Sequence, residues 1–115
     1  MSPLIILDRD GVINHDSPNY VKTPTEWQPI KGSLQAIANF KLAGWKVVIA
    51  TNQAGIGKGI ISYSNLHAIH SKMLNSLEQY GTTIDAIFFC PHTQETRCGC
   101  RKPKPGMFLE IGTRF

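Results

Sequence analysis

Two carboxylates separated by one residue, Asp8 and Asp10, follow the aliphatic run Leu4-Ile5-Ile6-Leu7. Positions two apart on an extended chain share a face. The pair therefore converges just past a strand end, where ligands of open α/β sheets bind. Two like charges this close are costly unless a cation or a proton lies between them. Such a pair fits a Mg²⁺ site, a nucleophile with an acid/base partner, or both. Taken alone, Asp-x-Asp-Gly also fits a polar turn.

Three further stretches carry chemistry. Thr51-Asn52-Gln53-Ala54-Gly55-Ile56-Gly57 offers a hydroxyl and an amide, with small residues that expose backbone N–H groups. These are suitable donors for phosphate oxygens, although Asn and Gly also serve a plain strand-to-loop turn. Cys90-Pro91-His92 and Cys98-Gly99-Cys100 supply three thiols and an imidazole. That is a complete donor set for tetrahedral zinc. Four protein ligands leave no open position, so such a metal is structural and pins a loop that has little to bury. Arg101-Lys102-Pro103-Lys104 follows at once. Its prolines hold the chain extended, and a cation fixed there can neutralise phosphate charge.

The elements that must position these residues can be read from periodicity. A first strand is expected over 3–8. Residues 11–31 show no sustained period and contain Pro18, Pro24 and Pro29 with Tyr20 and Trp27. A long loop leaving the strand that carries Asp8 can fold over the site as a flap. Leu34, Ile37, Ala38 and Leu42 recur at helical spacing over 33–43, with Ser33 as N-cap and Gly44 just past the end. The β-branched run over 45–50 is a second strand, and strand–helix–strand implies a parallel pair. Residues 64–80 form the longest helix, with Leu66, Ile69, Met73, Leu77 and Tyr80 as its buried stripe. His67 and His70 are read as exposed or partly buried helix residues, not ligands. A third strand over 84–89 feeds the cysteine loop, and 106–115 begin a helix.

Composition bounds the rest. The 115 residues fit a single domain, 1–115. The formal charge of +4 suits an anionic substrate without requiring one. Basic residues are dispersed apart from the Arg101–Lys104 cluster, so no nucleic-acid stripe is expected. No apolar run is long enough to cross a membrane, and the N-terminus lacks the features of a signal peptide. Clustering of every cysteine between Cys90 and Cys100 favours a metal site in a reducing compartment over a disulfide framework. A cytoplasmic location is the expectation.

In this order the motifs resemble those of the haloacid dehalogenase (HAD) superfamily of phosphatases. Asp8-Arg9-Asp10-Gly11-Val12 resembles its first motif, Thr51-Asn52 its second and Lys102 its third. The wider pattern, with the cysteine loop and Lys104-Pro105-Gly106-Met107, is similar to sugar-bisphosphate phosphatases of that superfamily. The histidinol-phosphate phosphatases share the aspartates, Thr-Asn-Gln and the zinc loop. The resemblance implies a capless, Rossmann-like α/β core with a parallel sheet flanked by helices. It implies Mg²⁺-dependent hydrolysis of a phosphomonoester through an aspartyl-phosphate. Asp8 would be the nucleophile and Asp10 the acid/base, both at the Mg²⁺. Thr51, Asn52 and Lys102 would bind phosphoryl oxygens. Arg101, Arg9, Asp16 and Asn19 would select the sugar. Zinc on Cys90, His92, Cys98 and Cys100 would be structural.

The superfamily's fourth motif is an acidic pair after a fourth strand. Beyond Lys102 the only carboxylate side chain here is Glu110. The resemblance thus implies a domain incomplete at its C-terminal end, lacking the last strands, with the first strand's edge unpaired. The expected partner is a small-molecule sugar phosphate, without nucleic acid or membrane. The protein is expected as a monomer, or associated through that edge. A zinc-stapled phosphate-binding module without turnover is the alternative.

Overall fold

The computed structural model describes residues 2–115. Three strands, β1 (Leu4–Leu7), β2 (Lys46–Asn52) and β3 (Ala86–Cys90), form a parallel sheet in the order β1-β2-β3. Helix α1 (Ser33–Leu42) links the first two strands. The short α2 (Ala54–Gly57) and the long α3 (Tyr63–Glu78) link β2 to β3, and α4 (Gly106–Arg114) follows the cysteine loop. The register pairs Leu7 with Ile49 and Asn52 with Cys90. Asp8, the Thr51-Asn52 pair and Cys90 therefore come to one rim of the sheet, as expected for a parallel arrangement.

Strand β2 is buried on both faces. Val47 and Ile49 join Ile37, Ile69, Met73 and Leu77 on the side of α1 and α3. Val48 and Ala50 join Met107 and Ile111 of α4 on the other. This double burial is why β2 reads as an unbroken apolar run rather than an alternating one. Strand β1 is only half-buried, since among the described residues it pairs on one side alone.

Several local expectations are corrected. Strands β2 and β3 extend further toward the rim than the 45–50 and 84–89 runs, so Thr51, Asn52 and Cys90 are strand residues. Ser33 does not cap α1. Gly32 occupies the cap at φ 87°, and Ser33 Oγ donates instead to the Ile13 carbonyl at 2.7 Å. Leu42 lies off the buried stripe and is 85% exposed. Helix α3 ends at Glu78, which leaves Tyr80 outside it and exposed. Its true cap is Ser62, whose hydroxyl accepts from the Asn65 N–H. The short α2 was not anticipated; four residues are too few to show a period.

The 11–31 segment is packed rather than loose. Ile13, Val21 and Trp27 are buried in the α1/α3 core. Lys72 of α3 donates to the carbonyls of Pro24 and Trp27 at 2.7 and 2.9 Å. These bonds fasten the segment to the helix beneath it.

Candidate active site

Asp10 sits in a tight turn. Gly11 adopts φ 83°, and the Ile13 N–H bonds the Arg9 carbonyl at 2.8 Å. A positive φ is cheap only for glycine, and the turn returns Asn14 to Asp10. Asn14 Nδ2 then donates to Asp10 Oδ1 at 2.9 Å. Arg9 donates to the same oxygen twice, from Nε at 3.0 Å and Nη2 at 2.7 Å. Gln53 Nε2 donates to Asp10 Oδ2 at 3.1 Å and to Thr51 Oγ1 at 3.0 Å.

Asp8 is freer. Its side chain is 43% exposed, and Oδ1 accepts the Arg9 backbone N–H at 2.8 Å. Lys102 Nζ lies 3.2 Å from that oxygen and donates to the Ala50 carbonyl at 2.9 Å. The Lys102 backbone is held by one amide side chain: its N–H donates to Asn52 Oδ1 and its carbonyl accepts from Asn52 Nδ2. Asn52 thus spends most of its amide on placing Lys102, and one Nδ2 hydrogen remains for a ligand.

Asp8, Asp10, Thr51, Asn52, Arg101 and Lys102 line one cavity of about 380 Å³. Asp16, Ser17, Tyr20, Gln53, Lys58 and Glu95 complete its polar wall. Lys58 Nζ donates to Tyr20 Oη at 2.8 Å, and this bond holds the ammonium pKa above its ordinary value. Two expected specificity residues lie elsewhere. Arg9 is fully buried and turned away from the cavity, because its guanidinium is committed to Asp10 and His70. Asn19 is exposed and outside the lining.

Sequence reasoning missed Asn14, Gln53 and His70 as parts of this constellation. Both amides stand within or beside the recognised motifs, but nothing in their spacing showed that they aim at Asp10. His70 is buried rather than exposed or partly buried, and its Nε2 lies 3.1 Å from Arg9 Nη1. Burial, then the Arg9 cation, push its pKa from 6.5 down to about 4. The nearby Asp10 carboxylate opposes this shift and His67 adds to it.

The cysteine loop gathers four donors. One ligand atom each from Cys90, His92, Cys98 and Cys100 lies within 4.8 Å of the others, a group that could hold a metal ion. Cys98 Sγ is 3.5 Å from Cys90 Sγ and 3.6 Å from Cys100 Sγ, and His92 Nδ1 is 3.4 Å from Cys100 Sγ. Thiolates at about 2.3 Å from zinc would be separated by roughly 3.8 Å at a tetrahedral angle. Cys90 and Cys100 approach more closely, at disulfide contact. A cross-link accounts for two of the donors, whereas a tetrahedral metal accounts for all four. Gly106 closes the loop onto α4: its N–H bonds the Gly99 carbonyl at 2.9 Å, and an added Cβ would meet Cys100 Cα at 2.8 Å.

The family model described as "Polynucleotide kinase 3 phosphatase" matches residues 4–115. The chain belongs to this family, within the HAD superfamily. HAD membership bears out the resemblance carried by the aspartate, Thr-Asn and lysine motifs. A D-glycero-beta-D-manno-heptose-1,7-bisphosphate 7-phosphatase of Bordetella bronchiseptica is 54% identical over 112 residues, covering 97% of this chain and 63% of the relative. A crystal structure of a D,D-heptose 1,7-bisphosphate phosphatase from B. bronchiseptica, complexed with magnesium and phosphate, superposes with TM-score 0.96 at 54% identity. That match covers 97% of this chain and 63% of the other. A HAD-like protein of Mesorhizobium loti gives TM-score 0.87 at 35% identity, covering 99% of this chain and 57% of that one. The chain therefore spans less than two thirds of the length of these relatives. Among the described residues no helix is long and apolar enough to cross a membrane.

Proposed function

We propose that this chain carries the catalytic site of a phosphatase acting on a sugar bisphosphate, with the C7 phosphate of D-glycero-D-manno-heptose 1,7-bisphosphate as the bond cleaved. The carrying observation is the half-exposed Asp8 sharing one cavity with Asp10, with Lys102 Nζ 3.2 Å from Asp8 Oδ1. That arrangement supports Asp8 as nucleophile, Asp10 as acid/base and Lys102 as phosphate-binding cation. A cavity of about 380 Å³ suits a small phosphorylated molecule.

In the first step an Asp8 carboxylate oxygen bonds to phosphorus, the bond from phosphorus to the sugar oxygen breaks, and Asp10 gives that oxygen a proton. In the second, water attacks phosphorus, Asp10 takes the proton, and the Asp8–phosphorus bond breaks. Lys102, Thr51 and the remaining Asn52 N–H hold the phosphoryl oxygens as charge redistributes. Arg101, Asp16, Tyr20 and Lys58 face the rest of the substrate. Asp8 and Asp10 are hard oxygen donors on one cavity wall and fit Mg²⁺, which when bound offsets repulsion between carboxylate and phosphate. Zinc on Cys90, His92, Cys98 and Cys100 would fix the loop that leads to Arg101 and Lys102. Lipopolysaccharide-core heptose synthesis in the cytoplasm is the setting this substrate implies.

The test is phosphate release from heptose 1,7-bisphosphate in Mg²⁺ and in EDTA, with histidinol phosphate alongside. Mg²⁺-dependent release from the heptose, abolished by Asp8→Asn, is expected. Preference for histidinol phosphate would reassign the substrate. Beyond Lys102 the single carboxylate, Glu110, pairs with Arg114 on α4 and lies outside the cavity lining. The second reading is a phosphate-binding module without turnover. Phosphate binding with no release from either ester, in a folded sample, would establish it.

A further inference from the structure

Arg9 is a fully buried cation beside the catalytic pair, and substrate cannot reach it. Its guanidinium is divided between two partners. Nε and Nη2 clamp Asp10 Oδ1 at 3.0 and 2.7 Å, while Nη1 meets His70 Nε2 at 3.1 Å. A guanidinium only donates, so His70 Nε2 accepts and its ring proton is on Nδ1. His70 comes from α3, sixty-one residues away in sequence, and is itself buried at 9% exposure. A buried arginine with one fork satisfied and the other open would be free to swing or would leave a donor unpaired. His70 closes that valence.

The two oxygens of Asp10 are consequently unequal. Oδ1 accepts three hydrogen bonds, two from Arg9 and one from Asn14. Oδ2 accepts one, from Gln53. A proton cannot be placed on Oδ1 without displacing a charge-assisted bond. We propose that Arg9 and His70 are positioning residues for the reaction: His70 anchors Arg9, Arg9 fixes Asp10 through Oδ1, and Oδ2 is left as the atom that gives and takes the proton. This rests on the acid/base role proposed above for Asp10. It replaces the sugar-selecting role that the sequence implied for Arg9.

The test compares His70→Phe, which removes the acceptor, with His70→Gln, which restores an acceptor oxygen. The probe is p-nitrophenyl phosphate in Mg²⁺. Its leaving group needs no proton, so attack by Asp8 is spared while hydrolysis of the phosphoenzyme still needs the base. For His70→Phe we expect a burst of p-nitrophenol followed by turnover lowered about 10- to 100-fold, with no rise in KM. His70→Gln should recover to within about threefold of the parent. A merely structural histidine would lower stability without producing the burst or the rescue.

A second measurement does not depend on turnover. In the unmodified chain, nitrogen NMR should find His70 Nε2 unprotonated, and the Asp10 carboxyl carbon resonance should move in His70→Phe and return in His70→Gln. A protonated Nε2, or an Asp10 resonance indifferent to both variants, overturns the proposal even if the chain is an active phosphatase. Absence of turnover with the expected resonances would overturn the functional reading and leave the positioning geometry supported.

Discussion

Lys102 Nζ stands 3.2 Å from Asp8 Oδ1 while donating to the Ala50 carbonyl at 2.9 Å, so the β2 backbone aims a cation at the proposed nucleophile. The lysine is not a solvated surface charge. Its main chain is gripped on both sides by the Asn52 amide, and its side chain is only 21% exposed. Lys102→Met keeps most of the stem and removes the charge. It should lower kcat for phosphate release about 100-fold, the usual scale for losing one preorganised donor, with little change in melting temperature. Activity within threefold of the parent would remove Lys102 from the phosphoryl site.

The sequence made much of the rim legible because the aspartate and Thr51-Asn52 motifs stand at strand ends, and strand–helix–strand spacing implied that the first two strands are parallel neighbours. Asp8, Asp10, Thr51 and Asn52 line the cavity for that reason, while Arg101 and Lys102 reach it from the loop after β3, where the Asn52 amide holds the Lys102 backbone. What stayed hidden depends on contacts between distant elements. His70 was readable only as an exposed or partly buried helical residue because helical spacing places it only relative to its own helix. The Arg9 side chain it meets arrives from the far end of the chain. Arg9 itself looked like a substrate ligand, since nothing in Asp-Arg-Asp tells whether the middle residue points out or in. Tyr20 and Trp27 favoured a packed 11–31 segment, but its fastening by Lys72 to the Pro24 and Trp27 carbonyls was not legible.

Cys98 discriminates between the two accounts of the cysteine loop. It lies outside the Cys90–Cys100 pair but within reach of both sulfurs. If zinc holds the loop, metal analysis should find one zinc per chain, and unfolding in chelator without reductant should expose every thiol. Cys98→Ser should then lower the melting temperature by at least about 5 °C. A single titratable thiol, with Cys98→Ser indifferent, would establish the cross-link instead.

Asp85 ties the start of β3 to β2 and α1. Its Oδ2 accepts the Val47 N–H at 2.7 Å and the Lys41 ammonium at 2.7 Å. Burial pushes its pKa up, but the bonds from Lys41 and Val47 outweigh this and hold it below the ordinary range. Asp85→Ala should cost about 1–3 kcal/mol, because a backbone donor loses a charged acceptor. Lys41→Ala removes only the ion pair and should cost less than about 1 kcal/mol. Chemical denaturation of the two variants measures the difference, and equal losses would mean that the Val47 bond contributes nothing.

His70 makes the fold sensitive to acid. Burial and the Arg9 cation, opposed by Asp10 and aided by His67, depress its folded pKa to about 4 from 6.5. Between these values the unfolded chain takes up a proton that the folded chain refuses. This contribution is therefore neutral above about pH 6.5, and stability falls as pH drops toward 4. The loss between pH 7.5 and 5 should be about 2 kcal/mol, approaching about 3 kcal/mol at pH 4 and below. His70→Gln cannot titrate and should flatten that part of the profile, leaving only the carboxylate-driven loss at lower pH. Urea unfolding of both proteins across this range is the measurement. Identical slopes between pH 6.5 and 4 would show that His70 is protonated as readily in the fold as in the open chain, which is incompatible with Nε2 accepting from Arg9.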